Sequence, residues 1–208
     1  MDRAATLDQL ARLCRNPRDG ATPPAIVPSE VPALDSLLPG GGWQSGTIVE
    51  LMSTTTGIGE LRLLMPALAR ITRERHIALI SPPYVPFAPA FAQHGVQLDR
   101  LLVINAATLE DTLWAFEQTL RCSSFGAVLA WPAAPKDRQV RRLQLAAEVG
   151  RSTGFMYRPL SAARESSPAA VRLCLQRTAA GDLGIDVLKC RGARSGISIT
   201  AATKSAGS

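Results

Sequence analysis

The feature that most restricts this fold is a repeated alternation of short, continuously apolar runs with longer stretches of helical periodicity. The apolar runs cover residues 47–52, 77–80, 101–104, 127–131 and 154–158. Each has the length of a strand. Unbroken apolar character, without a polar residue at every second position, is the pattern of strands covered on both faces. Between them lie helical patterns at 60–75, 88–94, 109–122 and 136–152. Alternating strands and helices imply an α/β fold whose largely parallel sheet is flanked by helices. Two later runs, 171–177 and 184–191, surround Ala180-Gly181-Asp182 and read as an antiparallel hairpin.

The remaining segments are appendages to this core. Residues 3–15 place Leu7, Leu10, Ala11 and Cys14 at helical spacing, and Asn16-Pro17 ends that pattern. A proline-rich linker follows, so residues 1–25 form an N-terminal helix and linker. The helix is too short to persist alone in water and must dock. Its surface is either its own body or a partner, through Leu7, Leu10 and Cys14. A further helical pattern at 31–38 stops at Pro39-Gly40-Gly41-Gly42. The core then spans 26–194, and the small polar residues 195–208 are expected to be a flexible tail.

Charge is unevenly placed along the 208 residues. Residues 1–135 carry a net −2 and the remainder +8, which together make the formal +6. A basic half attracts phosphates or acidic partners. Within 136–152, Lys136, Arg138, Arg141 and Arg142 lie at spacings that put at least three of them on one side of a helix. They are either a site of single-stranded DNA contact or a solubilising face. With two tyrosines and three tryptophans in the chain, no stacking platform for bases stands out. Cys14, Cys122, Cys174 and Cys190 lie far apart with only two histidines, which gives no zinc-ligand spacing. No run approaches the length of a membrane-spanning helix, and the N-terminal residues lack the apolar core of a secretory signal. A cytoplasmic location is expected.

In an α/β fold the loop after the first core strand is the natural anion site, because backbone N–H groups and a helix dipole converge there. Here it reads Ser53-Thr54-Thr55-Thr56-Gly57-Ile58-Gly59-Glu60. A working phosphate loop needs glycines for close approach, a lysine for the β- and γ-phosphates and a hydroxyl for Mg²⁺. This loop has no lysine, and Glu60 stands at the helix start, where its carboxylate favours the dipole and repels a triphosphate. The loop is either a weakened nucleotide site or a remnant capped by its own glutamate.

The segment Pro32-Ala33-Leu34-Asp35-Ser36-Leu37-Leu38, then Gly40-Gly41-Gly42-Trp43 and Gly46-Thr47-Ile48-Val49-Glu50-Leu51, resembles the start of the RecA core. The resemblance implies a RecA-like core with a degenerate nucleotide site. The family's phosphate-loop lysine and hydroxyl fall on Gly59 and Glu60. Its catalytic glutamate falls on Pro83 and its metal-supporting aspartate on Trp131. Phosphoryl transfer depends on such positioned charges, so these four departures imply no catalytic residue, no cofactor and no enzymatic activity. Trp131 is expected to fill the volume where nucleotide and metal would sit.

Among RecA relatives, the Pro32–Trp43 segment resembles the ImuA family. So do Gly57-Ile58-Gly59-Glu60-Leu61-Arg62-Leu63-Leu64, Pro168-Ala169-Ala170-Val171-Arg172-Leu173 and Leu188-Lys189-Cys190-Arg191-Gly192. That resemblance implies a non-catalytic accessory of error-prone translesion DNA synthesis. Its implied partners are ImuB, an inactive Y-family polymerase homologue, and through it a C-family polymerase and the sliding clamp, with RecA and single-stranded DNA as further contacts. The alternatives are a SulA-like cell-division inhibitor that binds FtsZ, SulA having been grouped with the same family, and a weakly active DNA-dependent ATPase.

Overall fold

A computed structural model describes residues 3–14, 26–132, 134–191 and 196–201. The linker expected after the first helix lies outside these residues. In chain order the elements are α1 (Arg3–Cys14), β1 (Ile26–Val27), α2 (Pro32–Asp35), β2 (Trp43–Gln44), β3 (Ile48–Ser53), α3 (Glu60–Ile71), β4 (His76–Ile80), α4 (Ala88–Gln93), β5 (Leu101–Ile104), α5 (Leu109–Arg121), β6 (Phe125–Ala130), α6 (Asp137–Gly150), β7 (Thr153–Pro159), β8 (Val171–Arg177), β9 (Leu183–Cys190) and β10 (Ile197–Ala201).

Eight strands form one mixed sheet in the order β10-β9-β8-β3-β7-β6-β4-β5, and β1 pairs with β2 in a small ribbon. From β8 to β5 every neighbouring pair is parallel; β9 and β10 are antiparallel to their neighbours. The fold is therefore α/β with a mainly parallel central sheet, as the alternation of runs requires. All six residues of β6 and the first five of β3 are buried, which matches their unbroken apolar sequence.

Each face of the sheet carries its own core. One packs Leu64 and Leu68 of α3 against Leu79, Leu129, Phe155 and Leu173. The other packs Phe116 of α5 and Leu143 of α6 against Val128 and Met156. Trp43 is buried and meets Phe155 edge-on, with ring centroids 5.3 Å apart. Arg75, in the turn before β4, ties several chain ends together. Its guanidinium donates to the carbonyls of Ser123 (2.9 Å), Arg151 (2.6 Å), Gly150 (2.9 Å) and Phe125. The guanidinium thus joins the end of α6 to the turn that opens β6.

Three sequence expectations change here. The segment expected to be helical over 31–38 is helical only at Pro32–Asp35, because Pro39 and the following glycines pull the chain into a tight turn. The strand expected to run to Trp131 ends at Ala130. The tail expected after Arg194 contributes β10, which pairs with β9 from Ile197↔Val187 to Ala201↔Leu183. Its burial alternates along the strand, as in an edge strand with one covered face.

Candidate functional site

The C-terminal ends of β3, β4 and β6 converge on the loop where an anion would sit. Ser53 closes β3, and its hydroxyl donates to the Thr55 carbonyl at 2.8 Å. Gly57 and Gly59 take φ of 83° and 103°, in the left-handed region open to glycine. Glu60 opens α3 and turns back, so that its Oε1 accepts the Gly57 N–H at 2.8 Å. The backbone donor that a phosphate would need is thus held by the chain's own carboxylate. Glu60 is buried, and its Oε2 has no hydrogen-bond partner among the described residues.

Behind this loop Trp131 stacks face to face on Tyr157, with centroids 4.6 Å apart and ring planes 6° from parallel. The indole Nε1 and the phenol hydroxyl are sealed from solvent without partners among the described residues. Burial, and the negative charge of Glu60, push the Tyr157 phenol well above its ordinary pKa of 10.0.

Across from the loop, β4 gives way to a proline-rich segment. Ser81 takes φ 49°, unusual for a residue with a side chain. Its hydroxyl accepts the Ala106 N–H at 3.1 Å and lies 3.1 Å from the Thr112 hydroxyl, which fixes the turn. The chain then runs outward through Pro82, Pro83, Tyr84, Val85, Pro86 and Phe87. The Thr56 hydroxyl donates to the Tyr84 hydroxyl at 3.4 Å, bridging this segment to the loop. A cleft of about 420 Å³ opens between the two, with Met65, Phe91 and Trp131 in its walls. At its rim, Tyr84 is 71% exposed, Val85 94% and Phe87 68%. These three neighbouring side chains form an exposed, largely apolar rim.

The structure thus brings together Ser53, Thr54, Thr55, Thr56, Gly57, Ile58, Gly59, Glu60, Pro83 and Trp131 at one end of the sheet. Trp131 is half-buried and lines the cleft instead of filling it. The basic quartet lies elsewhere. Lys136, Arg138, Arg141 and Arg142 are exposed along α6, and Arg142 pairs with the buried Glu117. The N-terminal helix lies on its own body: Leu10 is buried in the core beside α5 and α6, and the Ser124 hydroxyl donates to the Leu13 carbonyl at 2.9 Å. Leu10 is therefore not free to meet a partner. The side chains of Leu7 and Cys14 lie outside the described residues.

A buried ionic cluster escaped the sequence reading. Glu50 on β3 accepts from Arg172 Nε (2.6 Å), Arg158 Nη1 (3.2 Å) and the Ser167 hydroxyl (2.7 Å). Arg172 also donates to the carbonyls of Glu165 and Ala162. A glutamate inside the apolar run 47–52 was the available signal, since a buried charge requires a partner.

The chain is similar to several bacterial proteins named cell division inhibitor SulA. It is 30% identical to that of Photorhabdus laumondii over 112 residues, which are 53% of this chain and 63% of the relative. It is 26% identical to that of Serratia marcescens over 119 residues, 57% of this chain and 71% of the relative. It is 32% identical to that of Pectobacterium atrosepticum over 102 residues, 48% and 61% of the two lengths. The crystal structure of SulA from Pseudomonas aeruginosa matches 53% of this chain and 97% of its own, at 23% identity and a TM-score of 0.45. No family model matches the chain. The chain covers less than two thirds of the length of the first of these relatives. These relatives overturn the expectation of a translesion-synthesis accessory, because each bears the name of a cell division inhibitor. Among the described residues no helix is long and apolar enough to cross a membrane.

Proposed function

We propose that this chain is a SulA-like inhibitor of cell division that acts by protein contact, without catalysis, and that its target is FtsZ. One observation carries the reading. At the sheet end where a nucleotide enzyme needs a lysine, a hydroxyl and two acids, this chain presents an apolar cleft with a self-capped loop and an exposed aromatic rim. Such a surface gains free energy by covering its apolar side chains with those of a partner, and offers little to a triphosphate.

Within this proposal the core is RecA-like. Ser53–Gly59 leaves a central parallel strand and opens onto a helix, the position of a phosphate loop in that architecture. Glu60 holds the Gly57 N–H, Pro83 and Trp131 carry no charge, and ATP is neither bound productively nor cleaved. The ImuA-like segments then mark a branch among SulA-related chains.

The test is FtsZ assembly followed by light scattering, with purified chain added at increasing ratio. Inhibition is expected, and Tyr84→Ser with Phe87→Ser should weaken it about tenfold, as expected for central aromatic anchors. FtsZ assembly unaffected by the wild-type chain, together with capture of ImuB in place of FtsZ, would overturn the proposal.

A further inference from the structure

Helix α6 carries a second surface, independent of the cleft and of the cell-division reading. Its inner side is complete: Val140, Leu143, Ala146 and Ala147 are buried against α5 and the sheet. At 100° per residue, Arg138, Arg141, Arg142, Leu145 and Val149 share an outward arc of about 100°. Leu145 is 58% exposed and Val149 66%. They stand one turn apart, about 6 Å along the axis. Three arginines lie on the same arc toward the N-terminal end. No ion pair to Arg138 or Arg141 occurs among the described residues, whereas Arg142 is held by Glu117. Beside Arg142, a cleft of about 120 Å³ between α5 and α6 reaches Leu113 and Leu143.

Charge decides what fits here. A nucleic-acid backbone would engage the arginines and leave Leu145 and Val149 in water, or press phosphates against them. A helix with paired apolar residues and flanking carboxylates satisfies both halves at once: its apolar stripe covers Leu145 and Val149, and its acids meet Arg138 and Arg141. We propose that the outward face of α6 is a docking site for an acidic amphipathic helix of a partner protein.

The probe is a labelled peptide of about 18 residues, with leucines at i, i+4 spacing and glutamates beside them, titrated with the full chain by fluorescence anisotropy. Two control peptides replace the glutamates by glutamine or the leucines by serine, and labelled oligo(dT) is run alongside. Binding of the parent peptide is expected, about tenfold tighter than either control. Leu145→Ser with Val149→Ser, and separately Arg138→Ala with Arg141→Ala, should each weaken it about tenfold, and added salt should act on the arginine half. All four positions are exposed, and unchanged circular dichroism and melting temperature establish that the variants are folded. No binding, equal binding of the glutamine control, or affinity indifferent to Leu145 and Val149 would overturn the proposal. Oligo(dT) bound more tightly than the peptide, and lost only with the arginines, would assign the face to nucleic acid and overturn it equally.

Discussion

Glu50 and Arg172 are register partners on the adjacent parallel strands β3 and β8, and the Arg172 Nε donates to Glu50 Oε2 at 2.6 Å in the interior of the sheet. Arg158, on β7 at the other side of β3, donates to the second carboxylate oxygen. One carboxylate thereby joins three strands and sits between two guanidinium groups. Removing it leaves two buried cations facing each other. Glu50→Ala should destabilise the chain by about 3–5 kcal/mol, as expected for a broken buried ion pair. Urea unfolding followed by circular dichroism measures this; a loss below about 1 kcal/mol, the range of a surface pair, would refute it.

Glu60 closes its own loop by accepting the Gly57 N–H, with predictable consequences. Glu60→Ala frees the Gly57 N–H and should cost about 1 kcal/mol of stability, while Glu60→Gln keeps the acceptor and should cost less. Thermal melts of the two variants compare them directly.

Restoring the phosphate loop alone should not create an enzyme. Gly59→Lys with Glu60→Thr supplies the missing cation and hydroxyl but leaves Pro83 and Trp131 where acids would be needed. Gly59 also sits at φ 103°, a conformation that lysine adopts only with strain. No phosphate release from ATP is expected, and measurable turnover would contradict the non-catalytic reading.

Tyr157 should make the fold sensitive to alkali. Its phenol proton is held more tightly in the folded chain than in the unfolded one. The unfolded state therefore loses that proton first, as pH rises past 10.0. Stability from this group is fully present below that pH and falls above it, by up to about 1.4 kcal/mol per pH unit. Tyr157→Phe removes both the titration and a sealed hydroxyl without a partner among the described residues, so it should be near neutral at pH 7 and lose less stability in alkali. Unfolding free energies across the alkaline range, wild type against variant, decide; parallel curves would count against it.

Gly150 ends α6 where the helix presses on the end of α5. A Cβ there would lie 1.9 Å from the Leu120 carbonyl oxygen and 2.9 Å from the Arg121 carbonyl carbon. Both neighbours are backbone, so neither can swing aside. Gly150→Ala should fall at or beyond the upper end of the roughly 1–3 kcal/mol typical of overpacking. A melting temperature within a degree or two of wild type would show that the joint is looser than the distance implies.

Much of the architecture was legible before any coordinates. The continuous apolar runs at 77–80 and 101–104 match β4 and β5, and the helical pattern at 109–122 matches α5. The missing lysine in Ser53–Glu60 was equally plain. The cleft was not legible, because its walls come from separate segments that the sheet brings side by side. The exposed rim at Tyr84, Val85 and Phe87 lies in a proline-rich stretch whose sequence carries no periodicity to mark it. Strand β10 was missed for another reason: the alternation Ile197-Ser198-Ile199-Thr200-Ala201 is that of a one-sided strand, but it is set among small polar residues that resemble a tail.

The amino-acid sequence alone determined the alternation of strands and helices and the absence of a lysine from the loop Ser53–Glu60. Both are local properties, carried by periodicity and residue type at single positions. The tertiary structure decided that Glu50 meets an arginine 122 residues away and that Trp131 lies flat on Tyr157. It also decided that the N-terminal helix spends Leu10 on its own core. Parallel strands are joined by long crossovers, so their register and their side-chain partners are fixed by packing on both faces of the sheet, which no local pattern encodes.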